Sequence, residues 1–337
     1  MKEKVIYLFS FFLIISLFFS FTFSCDSDTK NKILLPGITG KIGELVIVIK
    51  KDNWKSKAGN KIRDIFAKKY EYLAQNEPLF DLINIPHNAF SRIFKTHRNI
   101  IITQISSSIK KSSISIKKDV FATPQVFISV TAKDEKDFLD ILEKSKTKIV
   151  NYLLQEENNR ISKTYKKLEN KNINSFLEKK HNISMVIPKS YTLDMDSSGF
   201  SWLTNETYTS TQGIFIYHYN YTDSNTFTKK FLLEKRENFL KKNVRTALNS
   251  YMTIEKKFFP IFFQKFRKKE RFFTRIRGLW KTNGKDKMGG PFVSLTTLDK
   301  KRNKIITIEA YVYKPNKSKR DLLRQLEAIL GTCKVLE

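Results

Sequence analysis

Side-chain chemistry in this chain could be concentrated in a carboxylate pair, four histidines and one basic-aromatic tract. Glu77-Pro78-Leu79-Phe80-Asp81 sets two carboxylates on a segment stiffened by Pro78. That spacing could serve general acid–base work, or the segment could seat Phe80 in a core. His87, His97, His181 and His218 fall in no His-Glu-x-x-His or other spaced ligand set, so no metal is expected, and His97 reads as structural or superficial. A Gly-x-Ser-x-Gly elbow, a P-loop and a Gly-x-Gly-x-x-Gly are missing, which removes the usual signatures of esterases, nucleotide hydrolases and dinucleotide enzymes. No cofactor is expected, and a binding or scaffolding role is preferred to an enzymatic one. The alternative is a hydrolase-like enzyme with an unrecognised site. Between Phe262 and Trp280, Phe263, Lys265, Arg267, Arg271, Phe272, Arg275 and Arg277 interleave. In cytoplasm such a tract suggests base stacking and phosphate contact. On alternating strands its plainest form is an aromatic face inward and a basic face in water. Lys265, Arg267, Arg271, Arg275 and Arg277 are the candidate binding surface.

The elements that position these groups must come from 337 residues, 41% of them apolar, enough for about two domains with a core each. Collagen, coiled coil and wholesale disorder are excluded by that composition. Lys and Arg number 62 against 33 acidic residues, a formal net charge of +29. Only 13 of the 62 are Arg, whereas phosphate-gripping proteins favour the planar guanidinium, so the charge reads equally as an anionic partner or as codon drift in an AT-rich genome.

The start of the chain carries the most specific signal. Lys2 and Lys4 precede an apolar run from Val5 to Phe23, the pattern of a secretion signal. The run ends at Thr22-Phe23-Ser24-Cys25 with Asp26-Ser27-Asp28 following, which resembles a bacterial lipoprotein box. The resemblance implies cleavage between Ser24 and Cys25, and acylation of Cys25 with palmitate-type chains. A consensus box has Leu where this chain has Thr22, and an uncleaved anchor is the alternative, since the run is about long enough to span a bilayer. Either way the bulk of the chain is exported, and two or three acyl chains would hold it permanently on a membrane. Once Cys25 is lipidated, Cys333 has no intramolecular partner and reads as a small packed residue.

Residues 1–24 are thus expected as signal peptide and 25–40 as a lipid-anchored tether. An N-terminal α+β domain over 41–172 and a C-terminal one over 173–337 follow, each a mostly antiparallel sheet covered by helices. Strands are expected at 44–49, 100–105 and 125–130, with 106–119 a solvated loop or hairpin tip. Ile62, Ile65, Phe66 and Tyr70 predict a helix over 59–70. Asp134, with Asp137 at capping-box distance, opens a long helix, and patterning is lost over 158–174, where the domain junction is placed. Strands follow at 184–187, 200–203 and 214–221, then a helix over 227–249, a hairpin over 261–280 turning at Lys268-Lys269-Glu270, and a strand pair at 291–298 and 304–313. Ser318-Lys319-Arg320-Asp321 has capping-box spacing and starts a last helix ending near Gly331.

Several landmarks occur in order: Gly40-Lys41-Ile42-Gly43-Glu44, Glu77-Pro78-Leu79-Phe80, Arg98-Asn99-Ile100, Pro124-Gln125-Val126, Arg277-Gly278-Leu279-Trp280, Gly290-Pro291-Phe292 and Lys319-Arg320-Asp321. From about residue 40 to the end the chain resembles an uncharacterised bacterial lipoprotein family catalogued as domain of unknown function 4837. The resemblance implies an envelope lipoprotein of a Gram-negative bacterium, anchored at Cys25; Asp26 directly after Cys25 bears on sorting between membranes, and the outer membrane is expected rather than the inner. It brings no activity. The second half is also similar to photosystem PsbP-type α/β/α modules. The partners expected are the membrane through the N-terminal lipid, and an envelope protein or an anionic lipid or polysaccharide, not nucleic acid.

Overall fold

Unbroken runs of branched apolar residues form the middle of a first sheet. β1 (Glu44–Val48), β3 (Asn99–Ile105) and β5 (Val126–Ala132) lie parallel to one another. β2 (Asp81–Ile85) adds a parallel strand beside β1, and β4 (Ser113–Lys118) closes the far edge antiparallel to β5, in the order β2-β1-β3-β5-β4. The computed structural model describes residues 34–336 other than Ala247 and Lys269; the expected signal peptide, with Ser24 and Cys25, lies outside the described residues.

The α+β class holds, but three of the four pairings in this first sheet are parallel where a mostly antiparallel sheet was expected. The reason lies in β1, where Leu45, Val46, Ile47 and Val48 are all fully buried. A strand covered on both faces belongs to a parallel sheet with crossover helices. Within the stretch read as a loop, Ser113–Lys118 is β4, and its Ile114 and Ile116 alternate with polar residues and pack on the core.

Two helices follow β1, α1 (Lys51–Lys55) and α2 (Lys57–Phe66), and α2 buries Ile62, Ile65 and Phe66. A short α3 (Arg92–Lys95) precedes β3. The long α4 (Glu135–Lys167) begins where Asp134 accepts from the Asp137 amide at 2.8 Å. It runs on to Lys167, into the stretch where apolar patterning was lost, because the buried positions near its end include Glu157 and Arg160, an ion pair that an apolar pattern cannot display. α5 (Lys171–His181) begins in the stretch where patterning was lost and runs beyond it; Asn170 caps its start and Asn182, at φ 57°, ends it.

The second sheet is antiparallel throughout. It contains β7 (Thr192–Ser197), β8 (Phe200–Thr207), β9 (Ser210–Asn220), β10 (Met252–Glu255), β11 (Phe262–Lys268), β12 (Arg271–Thr282), β13 (Gly289–Asp299) and β14 (Lys304–Tyr313). The order is β10-β12-β13-β14-β9-β8-β7, with β11 also paired to β12. The strand expected over 184–187 is reduced to β6 (Ile183–Ser184), paired with β15 (Lys334–Val335). α6 (Lys229–Asn243) covers one face over an aromatic cluster that includes Phe200, Phe215, Tyr217 and Trp280.

The last helix, α7 (Arg320–Gly331), covers the other face. It packs on β13 and β14 and also on α4, which in turn rests on β3 and β5. One buried cluster therefore runs from Leu45 through Leu153 and Ile308 to Leu330, and the chain from Pro36 onward is one compact unit. Among the described residues no helix is long and apolar enough to cross a membrane.

Candidate functional site

The carboxylate pair resolves into two structural roles. Glu77 is buried and accepts from the amides of Lys319 at 2.8 Å and Arg320 at 2.9 Å. It thereby satisfies the first amides of α7, the task assigned to Ser318 by spacing; Lys319 is the capping position and no side chain of that segment caps it. Asp81 receives both terminal nitrogens of Arg320, at 3.1 and 2.7 Å. Arg320 also donates to the Pro78 carbonyl, and Arg324 to that of Leu79. The segment 77–81 is a clamp on α7.

The starts of the parallel strands hold a second polar network. Glu157 receives Arg98 Nε at 3.0 Å, Asn99 Nδ2 at 2.6 Å and Arg160 Nη2 at 2.6 Å. Arg98 reaches the Gly40 carbonyl, Arg160 that of Pro124, and Gln125 those of Lys95 and His97. His97 meets Glu44 at 3.2 Å, and burial holds its ring below the usual histidine range against the pull of Glu44. These landmarks thus meet at one end of the first sheet.

His181 and His218 form a third cluster. Their Nδ1 atoms lie 3.1 Å apart, and His181 Nε2 lies 2.7 Å from the Ser201 hydroxyl, which is 3.3 Å from Asp196. Burial, then neighbouring positive charge, lowers His181 to about 3 and His218 to about 4, so both rings are neutral. A serine beside a histidine is the geometry of a nucleophile and its base, but Ser201 and His181 are fully enclosed and present no atom to a substrate. Among the described residues no group of three His, Cys, Asp or Glu side chains is placed to hold a metal.

The open concavity lies elsewhere, between α4, β12, β13 and α7, with a volume of about 690 Å³. Register decides what faces it. β12 sets Arg271, Phe273, Arg275 and Arg277 on one face, where Arg275 lies opposite Leu295 and Arg277 opposite Val293, residues of the core beneath α4 and α7. The aromatic-inward, basic-outward reading is therefore corrected: the arginines of β12 turn toward the helices. Lys265 and Arg267 sit opposite Thr274 and Phe272, on the other face. Arg271 donates to the Leu298 carbonyl at 3.1 Å and does not line the cleft. Of the candidate surface, the cleft brings together Arg275 and Arg277.

Sequence reasoning missed their neighbours. Lys68 and Lys69 come from the loop after α2, Lys268 from β11 and Arg324 from α7, against two acidic lining residues, Glu71 and Glu327. Glu327 pairs with Arg277 at 2.5 Å and accepts from the Tyr70 hydroxyl at 3.1 Å. Arg275 has no carboxylate partner among the described residues; it stacks at 4.8 Å on Phe266. Burial and the adjacent Arg277 push its guanidinium below the usual arginine range. Two guanidiniums on one face with one carboxylate between them leave a surplus positive charge that an anion would neutralise. The opposite wall is a stripe of Asn151, Gln155, Asn158, Asn159 and Ser162 on α4, and Leu154, Val293 and Leu295 form an apolar floor. Four of its five residues precede Arg160, within the long helix opened by Asp134, so all but Ser162 were legible as helical spacing.

Fold and cleft together define an α+β protein with a basic cleft where helices meet an antiparallel sheet. Residues 170–332 match the family model described as Domain of unknown function (DUF4837). Residues 38–166 match a separate model, Domain of unknown function (DUF8532), so the resemblance read from about residue 40 is divided between two families that meet in the turn between α4 and α5. None of the curated proteins matches the sequence. Among solved structures, the Saccharomyces cerevisiae Ran-binding protein Mog1p is similar at 9% identity and a TM-score of 0.31, over 46% of this chain and 91% of that one. A point mutant of protein Mog1 is similar at 9% identity and a TM-score of 0.29, over 46% and 92%.

Proposed function

We propose that this is an exported, lipid-anchored binding module of the bacterial envelope, tethered on the outer membrane through Cys25, whose cleft holds an anionic ligand. The apolar run before Thr22-Phe23-Ser24-Cys25 supports the anchoring. The observation that carries the binding reading is Arg275, a guanidinium lining the cleft beside Arg277 with no carboxylate of its own among the described residues. An anion there would accept the charge-assisted hydrogen bonds that Arg275 leaves unused.

The test is titration calorimetry with inorganic phosphate at low and high salt. Wild-type protein is expected to bind, with affinity falling as salt rises. Arg275→Gln is expected to lose about tenfold or more with little change in thermal midpoint, since no ion pair is broken. Equal binding by wild type and Arg275→Gln would remove the cleft as the site.

A further inference from the structure

Resting on the reading of the cleft as an anion site, we propose that its ligand is a polyhydroxylated anion, a sugar or cyclitol ring bearing phosphate or carboxylate. The anionic group sits at Arg275 and the ring hydroxyls lie against α4. The wall opposite the arginines carries the argument. Asn151, Gln155, Asn158, Asn159 and Ser162 follow one another by four, three, one and three residues, so they share one face of the helix and line the cleft together. In a chain with 62 basic and 33 acidic residues, this stripe carries no charge at all.

A carboxamide both donates and accepts, and so does a hydroxyl, whereas the inorganic phosphate dianion is almost all acceptor, with a single O–H. A ligand rich in hydroxyls satisfies such a wall in both directions. Gln155 and Asn158 make no side-chain hydrogen bond among the described residues, so their capacity is unspent. The floor of Leu154, Val293 and Leu295 suits the C–H face of a ring. An acyl chain would bury the polar wall unpaired, at a cost for every stranded group. A linear polyphosphate would lay charge on the apolar floor. A ring with hydroxyls on its edge and one acidic substituent meets all three surfaces.

The same chemistry is found in free acidic saccharides and in glycolipid headgroups. The full-length protein in detergent would be titrated with glucose 6-phosphate, glucose and inorganic phosphate at constant ionic strength, and with micelles containing phosphatidylinositol or phosphatidylglycerol. Glucose 6-phosphate is expected to bind about tenfold more tightly than phosphate, and Gln155→Ala with Asn158→Ala to erase that advantage while leaving phosphate binding unchanged. Arg275→Gln weakens both. Preference for phosphatidylinositol over phosphatidylglycerol assigns the ligand to a headgroup; binding of glucose 6-phosphate with no such preference assigns it to a free saccharide. If glucose 6-phosphate and phosphate bind equally and the double variant is silent, the ring is overturned and the anion site stands. If no anion binds and Arg275→Gln is silent, both readings fall.

Discussion

Glu77 illustrates how a buried carboxylate can be spent on architecture. Its two oxygens satisfy two backbone amides that no other group of the α7 start reaches, 242 and 243 residues further along the chain. Removing them strands buried donors, so Glu77→Ala is expected to lower the unfolding free energy by about 2–3 kcal/mol. Asp81 is half exposed, and its pair with Arg320 is screened by water, so Asp81→Asn should cost less than about 1 kcal/mol. Urea midpoints would separate the two, and equal losses would contradict the clamp. The sequence shows both residues and the stiffening Pro78. It cannot show that their partner is a distant helix terminus, because hydrogen bonds to backbone amides leave no trace in side-chain spacing. Arg275 and Arg277 were legible as cations, while their direction was set by register against β13.

At the scale of elements, the end of α5 meets β8 and β9 through His181, Ser201 and His218. The groups facing this joint are Lys180, Arg302, Lys304, Asp196 and Asp299. With Ser201 donating to Asp196, His181 Nε2 donates to Ser201 and its Nδ1 accepts from His218. Two neutral rings sustain that chain; two charged ones cannot. Both pKa values are depressed, so the unfolded chain, with histidines near 6.5, takes up protons first as pH falls. The stabilisation is fully present above about pH 6.5 and is lost progressively as pH falls from there toward the folded values near 4 and 3. Thermal midpoints taken from pH 7 to 5 should fall, by the equivalent of roughly 2 kcal/mol from His181 and less from the part-exposed His218, whose charge water screens, and the double variant His181→Asn with His218→Gln should flatten that slope whatever its baseline. An unchanged slope would show that the pair does not control acid stability. The elements themselves were largely legible. Continuous apolar runs marked β1, β3 and β5, and the hairpin of β11 and β12 was placed almost to the residue. β7, whose side chains are mostly exposed, lacks the apolar alternation that reveals a strand, and α5 is a short, lysine-rich helix with few buried positions.

For the whole molecule, α4 and α7 do what neither half could do alone: they join a mainly parallel sheet to an antiparallel one and leave a basic cleft beside the seam. The anchoring proposal belongs to this scale. Cells grown with an alkyne analogue of palmitate are expected to label the wild-type protein, and Cys25→Ser should lose the label and leave the outer-membrane fraction. An unlabelled wild-type protein that retains residues 1–24 by mass would replace the lipid anchor with an uncleaved one. The sequence by itself determined the α+β composition, most elements and the cationic tract, because apolar periodicity, capping residues and residue type are local properties. Tertiary structure alone decided the parallel order of the first sheet, the partners of Glu77 and Asp81, the enclosure of Ser201 and the turning of Arg275 toward an uncharged wall. Each of those depends on which strand lies beside which and on contacts between residues far apart in the chain, and no local pattern encodes them.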